Sequence, residues 1–227
     1  MKILAVDTST FTGSVALIDS DRLVAEVLLN SKISHSEKLL PAIESILENA
    51  QWTLDDLQGL AIAIGPGSFT GLKIGLSTLK GIAVAKKLPL VGVSSLKVLA
   101  HNLSFKPEPV AAILDARRQE VYAGIYQFGK DGEVKEIFSD ACLSPKDFCR
   151  ELKKYAKVWL VGEGAVAYRQ SFEEELPKVV CFPEESFHYG RAGVAAHLGF
   201  FMLKTKKYKD FNGLSPNYLR APDARLP

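Results

Sequence analysis

The chain has 227 residues, of which 47% are hydrophobic and 24% charged. These proportions exclude a largely disordered chain, and the length suffices for two small domains or one large one. The formal net charge is only +2, whereas a protein that binds RNA by itself usually carries a strong basic excess, so the balance argues against a stand-alone RNA-binding module.

The first half of the chain alternates between strands and helices. A Ser-x-x-Glu capping box opens the first predicted helix, which tolerates Pro41 only if it starts near His35 or is kinked. In chain order the predicted elements are strands 2–7, 12–19 and 22–29, the helix opened by Ser34-His35-Ser36-Glu37, a buried strand 59–64, a helix to about Lys87, a strand Pro89–Val93 and a short helix from Ser95.

The second half begins as the first does. The apolar strand Ala112–Asp115 ends in a carboxylate, as Leu4–Asp7 does, and a polar turn and a second strand follow each. This predicts a long-period structural repeat, although chance matching stays open because only this unit coincides. The remaining predicted elements are strand 121–126, a third strand, a helix entered at Ser144-Pro145, strand 157–162, a turn Gly162-Glu163-Gly164 and a helix 190–205.

A Pro-containing break at 104–109 is the predicted domain boundary. It gives an N-terminal lobe, 1–103, which carries a partner surface, and a C-terminal lobe, 104–227. The sequence leaves open whether the final helix, 190–205, packs back on the first lobe. The fold class expected is α/β, with a mixed sheet flanked by helices in each lobe.

Two strand–Asp–turn–strand hairpins, at Asp7 and Asp115, favour a cleft that clamps a nucleoside phosphate, with backbone amides on the oxygens and the carboxylates on hydrated Mg²⁺. The alternative is a plain hairpin whose Asp forms an Asx-turn.

The loop Gly65-Pro66-Gly67-Ser68-Phe69-Thr70-Gly71 joins a buried strand to a helix. Ser68 or Thr70 can cap that helix, whose amide end favours an anion, but a tight structural connection is an equal alternative. It lacks the Gly-Lys-Ser/Thr of a P-loop.

The helix after this loop is apolar or small nearly all round, apart from Lys73, Lys80 and Lys87. One apolar face is enough for a helix that lies on a sheet. The additional apolar residues of this helix therefore predict further packing partners, and both the helix 35–50 and another protein chain are expected. The expected interface residues are His35, Leu39, Leu40, Ile43, Leu72, Lys73, Gly75, Leu76 and Leu79.

Groups that drive catalysis are scarce in the sequence. No two of the four histidines stand three to five apart, no nucleophile elbow occurs, and Cys142, Cys149 and Cys181 lack zinc-site spacing and are interpreted as small buried hydrophobic residues. Lys204, Lys206, Lys207 and Lys209 complement the end of a helix dipole or assist RNA contact by another subunit. With no charged leader and no apolar run of about 18 residues, we expect a cytoplasmic protein without membrane association.

Several motifs together resemble the TsaB (YeaZ) family, the partner subunits in bacterial synthesis of threonylcarbamoyladenosine on tRNA. The resemblance is nearly continuous in the first half and thins after about residue 127. It rests on ILAVDTST with SVAL, HSE with LLP, GPGSFTGLKIG, VSSL, DARRQEVY, GEG and the terminal PNYLR.

The resemblance implies an actin-like (ASKHA) duplicated fold and a complex with TsaD, the catalytic sister, and TsaE, an ATPase. TsaD holds its metal with His-x-x-x-His, and Ser95 and Leu99 stand at the matching positions, so this chain is expected to hold no metal. Ser9 stands where sugar kinases have a glycine that approaches phosphate, which makes unaided ATP hydrolysis doubtful. The candidate nucleotide residues are Asp7, Thr8, Ser9, Thr10, Asp115 and Arg117, and no cofactor is assigned, although ATP with Mg²⁺ at a complex interface stays open.

Three functional hypotheses follow. The favoured one is a non-catalytic partner subunit that forms a homodimer when alone and meets tRNA only through the complex. The second is an enzyme, either an ATP-dependent phosphotransferase that uses Asp7 and Asp115 or a glycoprotease-like hydrolase. The third is a direct RNA-binding module, which requires steeply salt-dependent binding by the isolated chain.

Overall fold

The computed structural model describes residues 1–30, 35–129, 132–206 and 213–220, and the side chain of His35 is outside this description. The strands are β1 Lys2–Asp7, β2 Gly13–Asp19, β3 Arg22–Leu29, β4 Gly59–Ala63, β5 Leu90–Val93, β6 Val110–Arg117, β7 Glu120–Phe128, β8 Val134–Leu143, β9 Val158–Val161 and β10 Val180–Cys181. The α-helices are α1 His35–Asn49, α2 Phe69–Lys86, α3 Ser95–Ala100, α4 Pro145–Leu152, α5 Glu163–Ala167, α6 Arg169–Glu175 and α7 Ala192–Lys204.

Two five-stranded mixed sheets have the same topology. The first has the order β3-β2-β1-β4-β5, and the second has the order β8-β7-β6-β9-β10. In each, the three strands that begin the half are antiparallel neighbours, and the two later strands add in parallel beside the first. The predicted repeat is therefore confirmed, and it extends well beyond the hairpin that revealed it. The predicted α/β fold class, a mixed sheet with flanking helices in each half, is confirmed as well.

The described chain divides into two compact units. One contains Met1–Val98 with Gly190–Asn217, and the other contains Leu99–Tyr189 with the described residues from Tyr218 onwards. Relative to the expected lobes, 1–103 and 104–227, the difference lies mainly in α7, which packs on β1, β2 and β4 of the first sheet. Leu198, Phe200 and Leu203 of α7 join a core on that face, and this apolar contact places the helix with the first unit.

Each face of the first sheet is covered by helices. Alternate residues of β1 point to opposite faces, so Leu4 and Val6 pack with α1 and α2, while Ile3 and Ala5 pack with α7. β4 lies between β1 and β5 and is buried throughout. The continuous apolar run of 59–64 thus has the cause expected from the sequence, burial on both faces.

The helix α1 begins at His35 and contains Pro41, as the sequence required. The capping box that begins at Ser34 lies outside the described residues, as do Lys207 and Lys209 of the basic cluster. Lys204, at the end of α7, lies with its ammonium group 5.6 Å from the ring centre of Phe200.

Two expectations for the second unit are wrong in detail. Residues 162–164 do not form a simple turn, because Glu163 begins α5 directly after Gly162, and α6 follows. Cys149 is buried, but Cys142 and Cys181 are only half-buried because they lie on β8 and β10, the two edge strands. Within the described ranges, no helix combines the length and the apolar character needed to cross a membrane.

Candidate functional site

The turn of the β1–β2 hairpin is stabilised by hydrogen bonds to its own aspartate, Asp7. Asp7 is only 1% exposed, and its Oδ1 accepts hydrogen bonds from the Ser9 N–H at 2.9 Å and the Ser9 hydroxyl at 2.6 Å. The Thr10 hydroxyl donates to the Thr12 carbonyl at 2.9 Å. This is an Asx-turn, the alternative that the sequence left open. The Ser9 amide, which a phosphate would need, is already donated to Asp7.

The loop 65–71 holds this turn in place. The Ser68 N–H donates to the Ser9 carbonyl at 2.7 Å, and the Thr8 hydroxyl donates to the Gly71 carbonyl at 2.8 Å. A Cβ atom at Gly67 would lie 2.2 Å from the Ser9 carbonyl oxygen. The glycine is therefore required for a close approach between two backbone segments of this chain.

The same loop begins α2. Ser68 is its N-cap residue, and the hydroxyl accepts from the Gly71 N–H at 3.2 Å, whereas Thr70 lies inside the helix and does not cap it. One turn later, a Cβ atom at Gly75 would lie 2.3 Å from the Thr8 hydroxyl oxygen. Gly75 thus lets α2 approach the Asp7 hairpin. The sequence places Gly75 among the interface residues, whereas in the structure its open side faces this chain's own Thr8.

The other side of the loop is held by α3 and by the chain near its C-terminus. Ser95 is buried, its hydroxyl accepts from the Gly65 N–H at 3.0 Å, and its own N–H donates to the Gly65 carbonyl at 2.9 Å. The Asn217 N–H donates to the Ile64 carbonyl at 2.7 Å. The resemblance placed Ser95 and Leu99 where TsaD has its two metal-binding histidines. In this chain Ser95 fixes a loop and Leu99 is a buried apolar residue.

The second unit repeats the Asx-turn. The Asp115 Oδ1 accepts from the Arg117 N–H at 2.8 Å, and the Arg117 guanidinium lies 3.6 Å from the other carboxylate oxygen. Arg117, Arg118 and Gln119 all have positive φ, at 62°, 54° and 61°. The Arg117 side chain is 85% exposed, so the ion pair is well solvated and adds little stability.

Two further titratable groups, Glu163 and Tyr168, lie near Asp115, and the sequence assigns neither of them to a site. The pKa of Glu163 is raised, first because the surrounding protein displaces water from the carboxyl group and second because the Asp115 carboxylate disfavours its charge, although the residue keeps one side open to solvent. The pKa of Tyr168 is raised by burial and by Asp115, to which its side chain is hydrogen-bonded. Glu163 is part of the GEG motif of the resemblance, but Gly162 and Gly164 suggest a turn rather than a helix start, and the sequence pattern does not connect Glu163 with Asp115.

The six candidate nucleotide residues fall into two groups. Asp7, Thr8, Ser9 and Thr10 lie together in the first unit, and Asp115 and Arg117 lie together in the second. That the two groups share one nucleotide stays a prediction. Across the described part of the chain, no group of three or more His, Cys, Asp or Glu side chains is arranged to hold a metal ion.

The predicted interface on α1 and α2 needs revision. Six of its nine residues lie inside the first unit and are covered by this chain, because they form the apolar faces by which both helices pack on the sheet. These are Leu39, Ile43, Leu72, Gly75, Leu76 and Leu79. Leu40, at 52% exposure, and the exposed Lys73 are available to a partner, while the side chain of His35 lies outside the described residues.

The same two helices carry other exposed groups. Val84 is 65% exposed and Phe69 is partly exposed, with the Lys73 ammonium group 3.9 Å from the centre of its ring. We name Leu40, Phe69, Lys73 and Val84 the α1–α2 surface. The sequence places Phe69 in the loop and does not single out Val84, because residue spacing alone does not show which side of each helix the sheet leaves uncovered.

Comparisons with known proteins match two related families, TsaB (YeaZ) and TsaD. The family described as "TsaD: tRNA N6-adenosine threonylcarbamoyltransferase" matches residues 22–226. The chain is 35% identical, over 99% of its length and 96% of the relative, to the tRNA threonylcarbamoyladenosine biosynthesis protein TsaB of Bacillus subtilis (strain 168). It superposes on the structure of YeaZ from Pseudomonas aeruginosa with a TM-score of 0.79 and 30% identity, covering 96% of this chain and 99% of that one.

A structure with lower sequence identity is similar to this chain in fold alone. The ethanolamine utilization protein EutJ of Carboxydothermus hydrogenoformans matches 87% of this chain and 90% of its own, with a TM-score of 0.53 and 16% identity. These neighbours share the duplicated actin-like (ASKHA) fold that the two identical sheet topologies produce. The chain belongs to the TsaB (YeaZ) family, which is related to the TsaD glycoprotease family and takes part in threonylcarbamoyladenosine biosynthesis on tRNA.

Proposed function

We propose that this chain is a non-catalytic partner subunit required for threonylcarbamoyl transfer to adenosine 37 of tRNAs. It acts in the cytoplasm, in a complex with a TsaD-like catalytic subunit and a TsaE-like ATPase, and it meets tRNA only within that complex. Without the TsaD-like subunit, it forms a homodimer. ATP with Mg²⁺, if it is bound near this chain, belongs to an interface of the complex.

One observation carries the proposal. The polar groups at the position of a phosphate-binding hairpin are engaged within this chain, since the Ser9 N–H donates to the Asp7 carboxylate and the Ser9 carbonyl accepts from the Ser68 N–H of the loop 65–71. Behind that loop, the Ser95 hydroxyl accepts the Gly65 amide. Groups held by short internal hydrogen bonds of this kind make a scaffold rigid, and the loop that they fix is the one from which α2 starts.

The α1–α2 surface supports the partner role. Leu40 and Val84 expose branched apolar side chains on two helices that pack against each other and against the same sheet face. A typical stable interface covers on the order of 800 Å² per partner with an apolar centre. Helices from the TsaD-like subunit are the proposed partners of α1 and α2.

Assays of the purified chain alone test the absence of catalysis. We expect ATP turnover and peptide hydrolysis at the level of a buffer blank, no modification of tRNA, and no change in any of these when Asp7 is replaced by Asn. Addition of the TsaD-like and TsaE-like subunits to the same preparation is expected to start tRNA modification. ATP turnover by the isolated chain that is lost in Asp7→Asn would instead establish the phosphotransferase hypothesis.

A further inference from the structure

A cluster of aromatic and basic side chains lies on the surface of the second unit. Phe105 is 64% exposed, and the Lys106 ammonium group lies 5.1 Å from the centre of its ring and 4.0 Å from the centre of the Trp159 ring. The Lys157 ammonium group lies 5.5 Å from the same tryptophan ring. We name Phe105, Lys106, Lys157 and Trp159 the aromatic–lysine patch.

The backbone that presents Phe105 is fixed on both sides. The Lys106 N–H donates to the Leu103 carbonyl, and the Trp159 N–H donates to the Pro109 carbonyl, each at 2.9 Å. The Gln127 side chain donates to the Pro107 carbonyl at 2.8 Å. Two prolines restrict the backbone further. The exposed ring is therefore held on an ordered loop, which lowers the entropy cost of binding a ligand there.

The charge of the patch is positive but small. The Glu108 carboxylate accepts from the Trp159 indole N–H at 3.1 Å and lies 3.7 Å from the Lys157 ammonium group. The hydrogen bond from Trp159 is the main reason why the pKa of Glu108 lies below its ordinary value, so this group stays ionised near neutral pH. One carboxylate against two ammonium groups leaves one positive charge beside an exposed aromatic face.

This combination suits unpaired RNA better than protein. Bases stack on exposed aromatic rings, and neighbouring lysines attract the phosphates. The centres of protein–protein interfaces are depleted of lysine. Here the ammonium groups of two lysines lie over the Trp159 ring, whereas the α1–α2 surface has one lysine together with the exposed aliphatic side chains of Leu40 and Val84. We propose that the aromatic–lysine patch binds an unstacked base of tRNA and an adjoining phosphate when the chain is in its complex. The inference rests on the proposed function, because one ring and one net charge are too few to hold tRNA alone.

Tests with the complete complex separate the two ideas. Each variant is first assembled with the TsaD-like and TsaE-like subunits, and its affinity for a tRNA transcript is then measured. Phe105→Ala is expected to weaken tRNA binding roughly ten-fold while assembly is unchanged, since stacking is a substantial part of single-strand affinity. Phe201→Ala, which removes an exposed ring of α7, is the control and is expected to leave tRNA affinity unchanged.

The lysines contribute a salt-dependent part. Lys106→Gln together with Lys157→Gln is expected to lower the slope of log affinity against log salt by about one to two. The same change at Lys178, an exposed residue of the same unit, is expected to leave the slope unchanged. If the Phe105 and lysine variants assemble normally and bind tRNA as the wild type does, the inference is wrong although the proposed function stands.

A spectroscopic readout locates the contact. The chain has two tryptophans, Trp52 and Trp159, so Trp52→Phe leaves only the tryptophan of the patch. We expect tRNA to change the fluorescence of Trp159 relative to a complex in which both tryptophans are Phe. Loss of assembly in Phe105→Ala would overturn the RNA assignment and identify the patch as a protein contact. Failure of the wild-type chain to assemble at all would contradict the proposed function itself.

Discussion

Gly67→Ala is expected to lower the free energy of unfolding of the first unit by about 3 kcal/mol or more. The added methyl carbon would lie 2.2 Å from the Ser9 carbonyl oxygen and 2.9 Å from its carbonyl carbon. Both are backbone atoms between Asp7 and β2, so neither can move aside as a flexible side chain would. Relief requires the loop to withdraw from the hairpin, which breaks the hydrogen bond from the Ser68 N–H to Ser9. Thermal or urea unfolding measures the loss.

Gly81→Ala provides a matched control in the same unit. Gly81 lies inside α2, and a Cβ atom there would meet nothing within 4 Å. Because alanine favours a helix more than glycine does, this change is expected to raise stability by about 0.5–1 kcal/mol. If Gly67→Ala unfolds at the same denaturant concentration as the wild type, the close approach of loop and hairpin does not support the unit as described.

Leu40→Asp is expected to weaken binding of the TsaD-like subunit by at least about 100-fold, about 2.7 kcal/mol. Leu40 is exposed on α1, so a carboxylate there is solvated in the free chain and leaves the fold intact. In the complex the same carboxylate would be buried among apolar side chains without a cation, which costs several kcal/mol. Titration calorimetry measures the affinity, and circular dichroism confirms that the variant is folded.

The neighbouring positions show why this residue is the informative one. Leu39→Asp would also abolish binding, but by unfolding the unit, since Leu39 is 2% exposed and packs in the core. Val166→Asp places the same charge on an exposed apolar position of α5 in the other unit and is expected to leave binding unchanged. Wild-type affinity in Leu40→Asp would remove α1 from the proposed contact.

Much of the fold could be predicted from local patterns. Strand boundaries followed from apolar runs bounded by polar turns, so β3 Arg22–Leu29 was predicted to the residue. The strand–Asp–turn–strand unit appeared twice, and the two aspartates do form the same Asx-turn. Short-range hydrogen bonds of this kind are fixed by neighbouring residues, and for that reason they can be read from the sequence.

Features that depend on contacts between distant parts of the chain were harder to predict from the sequence. The excess apolar residues of α2 indicated extra packing, but Leu72, Leu76 and Leu79 are used within the first unit. Spacing along a helix shows that residues share a face, not what covers it. Gly75 was assigned to a partner for the same reason, because its neighbour, Thr8, lies 67 residues away in sequence. The position of α7 on the first sheet likewise depends on contacts with strands near the start of the chain.

The central claim is that this chain contributes to tRNA modification through contact with a sister subunit. The most direct measurement is threonylcarbamoyl transfer to tRNA in a system reconstituted from purified subunits, with each one omitted in turn. The account predicts that transfer stops when this chain is omitted, and that this chain on its own transfers nothing. Full transfer by the other subunits without it, or transfer by this chain alone, would contradict the account.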